Sequence, residues 1–186
     1  DVCSSDLHFD HTGGLPLLLR KLPMLRRIVA HPAAFEEKLN GPEPEGQIGS
    51  PISAEEIREQ GIELQLTSEP QEITPGLMTT GEVPRKHRIE EEAVKGFYHR
   101  PWDSQETPVP DSIPDDLSLT VTLPGSGFFL LCGCCHAGLI NTLEHAVGLV
   151  GEKRILGALG GLHTIGASRE RLDHTFQIGR ASCRER

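Results

Sequence analysis

The segment His8-Phe9-Asp10-His11-Thr12-Gly13-Gly14 places two imidazoles and a carboxylate within four residues. In a tight turn, which the two glycines permit, these groups can converge on a cation. The bland alternative is a polar loop that enters a helix near His11. A second cluster, Cys132-Gly133-Cys134-Cys135-His136, sets soft thiolates beside an imidazole, the ligand types of a structural zinc or redox site. A closed zinc site wants paired knuckles, and only one is present; Cys132 equally fits a small buried hydrophobe. His136 precedes the small residues Ala137 and Gly138, and His163 ends a Gly160-Gly161-Leu162-His163 turn, both suited to site loops. The basic run Arg85-Lys86-His87-Arg88, just after Glu82, reads as a solvated face or as an anion-recognition element for a substrate phosphate.

Positioning these groups requires regular elements around them. Leu15, Leu18, Leu19 and Leu22 follow helical spacing until Pro23. Residues 27–30 read as a strand, 32–39 as a helix with His31 at its start, and 40–51 as a Gly/Pro-rich loop. Ser53 and Glu56 form a capping box for a helix running to about residue 60. Residues 62–67 and 76–80 read as strands. From 82 to 116 the pattern dissolves into charged and proline-rich sequence, expected to be a long surface insertion that carries Trp102. Residues 117–123 alternate like a half-buried strand, 127–132 form an apolar strand, 137–150 a helix with His145 on its solvated side, and 155–159 a last strand. Strands mixed with helices, with His, Asp and Cys at strand ends, predict a layered α/β domain.

Composition narrows the partners. Acidic residues outnumber basic ones 27 to 18, giving a net charge of −9. That balance argues against nucleic acid and against an anionic membrane surface. No apolar run approaches the ~18 residues of a spanning helix, and the polar first residues are unlike a signal peptide; a cytoplasmic protein is expected. Five cysteines, three of them crowded together, make a poor disulfide framework and a better reduced, metal-capable cluster.

The histidine segment resembles the signature of the metallo-β-lactamase-fold hydrolases, His-x-His-x-Asp-His followed by Gly-Gly. Four further segments occur in order: Thr80-Gly81-Glu82-Val83-Pro84-Arg85, Asp115-Asp116-Leu117, Gly133-Cys134-Cys135-His136-Ala137-Gly138 and Gly160-Gly161-Leu162-His163. Together they resemble the dihydropterin-ribofuranosylaminobenzene-phosphate synthase-like metal-dependent hydrolases over residues 7–175. The resemblance implies an α/β fold, a metallo-β-lactamase-like αββα sandwich truncated at both ends. Residues 7–175 would be a partial domain, and 1–6 and 178–186, similar to translated adapter sequence at the edges of assembled environmental DNA, non-native ends. It implies His8, Asp10, His11, His136 and His163 as metal ligands, with Cys134 and Asp6 as weaker ones and Asp10 also catalytic. The first histidine of the signature falls at position 6, where this chain has Asp6. One or two divalent metals, zinc first, would activate water to hydrolyse a small molecule, anionic or phosphorylated, with Arg85 and Glu82 binding it. The alternatives are a transferase joining a dihydropterin methyl carbon to a ribofuranosyl-aminobenzene phosphate on the same fold, and a non-catalytic metal-binding fragment.

Overall fold

A computed structural model describes residues 2–3, 6–43 and 46–184. Residues 1, 4, 5, 185 and 186, part of the ends expected to be foreign, lie outside the described residues. Val2–Cys3 (β1) pairs in parallel with Arg27–Ala30 (β2), which pairs in parallel with Glu63–Leu66 (β4). Phe9–Thr12 (α1) and Leu15–Lys21 (α2) follow β1, and Ala54–Glu59 (α3) precedes β4. Leu15 and Leu19 from α2, Ile57 from α3, and Ile28 and Ala30 from β2 share one core with Leu7 and Phe35. The expected four-leucine stripe is only half right. Leu18 and Leu22 face outward, and the buried pair is Leu15 and Leu19, one turn apart. The capping box forms as read: Ser53 Oγ accepts from Glu56 N at 3.2 Å, and Glu56 Oε2 from Ser53 N at 2.8 Å.

A five-stranded sheet follows, its strands lying side by side in the order 155–160, 127–132, 119–123, 77–79 and 72–74. Its strands are Glu72–Thr74 (β5), Leu77–Thr79 (β6), Leu119–Leu123 (β9), Gly127–Cys132 (β10) and Ile155–Gly160 (β11). Only β10 and β11 run parallel, with Leu139–Val150 (α4) as their crossover. Phe128 and Leu130 pack against Leu139, Leu143 and Ala146 in a second core. Arg169–Arg184 (α5) closes the described chain.

The third sheet corrects two expectations. The helix expected over 32–39 is a short 3-10 turn, Pro32–Phe35, followed by the strand Glu37–Asn40 (β3). His31 caps that turn, its Nδ1 accepting from Ala33 N at 3.1 Å. Phe97–Arg100 (β7) pairs antiparallel with both β3 and Val109–Pro110 (β8). Long-range pairing of β3 with β7 outweighs the local helical preference of Ala33-Ala34. Residues 82–116 are therefore no solvated insertion: Glu90, Ala93, Asp111, Ile113, Asp115 and Asp116 are all buried. His145 is half-buried and donates from Nε2 to Thr80 O at 2.9 Å rather than standing in solvent.

Candidate metal centre

Two site loops leave the carboxyl ends of the parallel pair β10 and β11, where such sheets gather ligands. The turns are tight. Cys135 and His163 have positive φ, as do Gly138 and Gly160. At Gly160 a Cβ would overlap the carbonyl oxygen of Cys132, its partner across the sheet. Gly160→Ala is therefore expected to force the two loop roots apart, costing about 3 kcal/mol or more. A thermal melt equal to that of the parent would contradict this.

The third arm is the 6–12 segment. His8 begins α1 with extended backbone, and Thr12 Oγ1 donates to His8 O at 2.9 Å, which fixes the turn. Asp6 is fully buried at the centre of the imidazoles. Its Oδ1 lies 3.1 Å from His8 Nδ1 and 3.8 Å from His11 Nε2, and its Oδ2 lies 3.4 Å from His136 Nε2. Burial alone would raise this carboxyl. The hydrogen bond and charge of His8, with His136 and His11, outweigh that and hold it at about 2.

His136 is 1% exposed, and burial pushes it down to about 4, so the ring is neutral at pH 7. Its Nδ1 lies 2.9 Å from Ala93 O, which can only accept, so Nδ1 carries the proton and Nε2 turns a lone pair toward Asp6. The His163 ring stands 4.1 Å from the His136 ring, centroid to centroid, and is also lowered by burial and then by Arg171. Cys134 Sγ lies 2.9 Å from His11 Nε2. Burial, reinforced by Asp6, Asp10 and Asp116, pushes the Cys134 thiol up to about 12.

Three overlapping triads result, each with one ligand atom per residue within 4.8 Å of the others: Asp6, His8 and His136; Asp6, His11 and Cys134; Cys134, His136 and His163. The buried Nε2 of His8 has no hydrogen-bond partner among the described residues. A buried imidazole nitrogen without a protein partner, on a ring whose other nitrogen meets a carboxylate, fits a cation better than a purely structural cluster.

Other singled-out residues fall elsewhere. Asp10 belongs to no triad among the described residues: its side chain is 71% exposed, 3.7 Å from His11 Nε2, at the wall of the cleft over the cluster. Arg85 and Glu82 line a separate pocket of about 190 Å³. The Arg85 guanidinium donates to the carbonyls of His136 at 2.6 Å, Ile113 at 3.2 Å, and Ser112, so it braces the His136 loop. Cys132 and Cys135 pack in the second core, and among the described residues Cys134 is the cysteine that joins the candidate triads. Trp102 lines another pocket with Glu37 and Arg100.

Two contributors escaped sequence reasoning. Phe97 stacks on His8 at 5.3 Å and meets His136 and His163 edge-on at 5.2 and 5.8 Å. Arg171, buried in α5, donates to His163 O at 3.0 Å and Leu162 O at 3.2 Å, stapling the left-handed turn. The strand-like run Phe97-Tyr98 after Gly96 was a signal for the first; nothing local marks Arg171.

No family model matches the chain. It is 27% identical over 181 residues to the 7,8-dihydropterin-6-methyl-4-(beta-D-ribofuranosyl)-aminobenzene-5'-phosphate synthase of Methanocaldococcus jannaschii, covering 95% of this chain and 60% of that protein. An uncharacterized protein of the same organism is 29% identical over 161 residues, 87% of this chain and 56% of the relative. In structure the chain is similar to Tm1679, described as a metal-dependent hydrolase of the beta-lactamase superfamily, with a TM-score of 0.78 and 22% identity over 98% of this chain and 64% of that one. The chain thus spans between 56% and 64% of the length of these proteins. Among the described residues no helix is long and apolar enough to cross a membrane.

Proposed function

The chain has the metallo-β-lactamase fold, and from that premise we propose that it is a metal-dependent hydrolase of a small molecule. The observation that carries this is the set of three overlapping triads, one of which includes His8, whose buried Nε2 has no hydrogen-bond partner among the described residues. Asp6, His8 and His136 would hold one divalent cation, and His11, Cys134 and His163 supply donors for a second. Zinc suits this mixture of imidazole, carboxylate and thiol. When bound, such an ion lowers the pKa of a coordinated water toward ~7 and polarises the bond under attack.

The chain's own residues do the rest. Ala93 fixes the His136 tautomer, and Arg85 and Arg171 brace the carbonyls of His136 and His163, so the donors stand ready. Asp10, exposed at the cleft wall beside His11, orients the attacking water and accepts its proton. The cleft itself, about 570 Å³, has the volume of a small-molecule site.

A second reading keeps the site and changes the reaction. The 27% match to a synthase supports transfer of a dihydropterin methyl carbon to a ribofuranosyl-aminobenzene phosphate. Parallel assays of ester hydrolysis, phosphodiester hydrolysis and this condensation, with zinc and with chelator, separate the readings. Chelator-sensitive hydrolysis is expected; condensation without hydrolysis would transfer the assignment to the synthase. Metal binding with neither reaction would leave a non-catalytic fragment.

A further inference from the structure

We infer that the cleft over the histidine cluster receives an apolar, ring-sized portion of the substrate, and that this portion rather than a phosphate decides what binds there. The inference rests on reading that cluster as the reacting centre. Beyond the imidazoles, the cleft is walled by Phe9, Ile48, Phe97 and Ile165. Phe9 is 60% exposed and Ile165 is 89% exposed, so neither serves the core. Both ride on the site loops: Phe9 follows His8 directly, and Ile165 stands two residues after His163. The turns that aim the histidines therefore also set two apolar side chains at the cleft wall. Phe97, stacked on His8, adds an aromatic ring to the same lining.

Charge points the same way. Among the described residues no lysine or arginine lines the cleft, so an anion there would meet only a cation held by the cluster and would be opposed by the Asp10 carboxylate at the wall. The basic run does not compensate. Arg85 is engaged with three carbonyls and faces a different pocket, while His87 is paired with Glu144 at 3.0 Å.

Calorimetric titration of the protein as purified with 2-naphthol, an uncharged ring probe, tests this without turnover. Saturable binding is expected, weakened about tenfold by Ile165→Ser and again by Phe9→Ser, since each removes apolar contact from a small pocket. Both side chains are exposed, so the variants should melt like the parent. Absence of saturable binding, or parental affinity retained in both variants, would overturn the inference. Metal content measured on the same samples separates the two levels. Metal-free protein that still binds 2-naphthol in this pattern would remove the hydrolase reading and leave the cleft assignment standing.

Discussion

Replacing His136 with alanine is expected to abolish tight metal binding and to lower turnover by at least about 100-fold. No other side chain combines its features. It belongs to two of the three triads, it is buried, and it is neutral at pH 7 with its proton fixed on Nδ1 by Ala93. Removing it takes a donor from two of the three triads. Some loss of stability, about 2–4 kcal/mol, follows from the cavity, so the comparison belongs at a temperature where circular dichroism shows the variant folded. A folded variant that keeps parental turnover and parental metal would contradict the assignment.

The largest stability effect is expected at Lys38. This lysine is fully buried on β3, with its ammonium 2.8 Å from Asp111 and 2.7 Å from Asp115. Burial alone would lower its pKa, but the two carboxylates outweigh that and raise it above the ordinary value. Lys38→Met leaves two buried carboxylates facing each other and should cost about 3–5 kcal/mol, a large share of the 5–15 kcal/mol typical of a domain. The damage should reach the metal centre, because Asp115 Oδ2 accepts from Leu7 N at 3.3 Å and so anchors the chain next to His8. Urea titration reads the effect as a lower midpoint at unchanged slope. Adding Asp111→Asn and Asp115→Asn to Lys38→Met should restore part of the loss, since no charge is then left uncompensated. A midpoint unmoved by Lys38→Met would show that the triad contributes nothing.

These two residues mark the limits of what the sequence made legible. The strands β9, β10 and β11, the helix α4 and the capped helix α3 followed from periodicity and capping, which are local signals. His8, His11, His136 and His163 were singled out, and the fold brings all four to one cluster. Lys38 and β3 were missed because their partners lie between 57 and 77 residues away, on β7 and in the 111–115 segment. The 82–116 stretch misled for the same reason. Its charges read as solvated, yet Glu90 accepts from Ile140 N and Asn141 N at the start of α4, and Asp116 from Ala137 N. A buried carboxylate is indistinguishable from an exposed one until its donors are known. Asp6 shows the converse. It is the position where the chain departs from the histidine signature, and it lies at the middle of the imidazoles rather than outside them.

The most direct measurement is zinc per chain by mass spectrometry for the parent, His136→Ala, Cys134→Ser and Asp6→His, each purified without added metal. The metal-centre account predicts one to two equivalents in the parent, near zero in His136→Ala, a partial loss in Cys134→Ser, and retention or gain in Asp6→His. A parent without zinc, or zinc that survives loss of His136 and disappears only with Cys134, would contradict it.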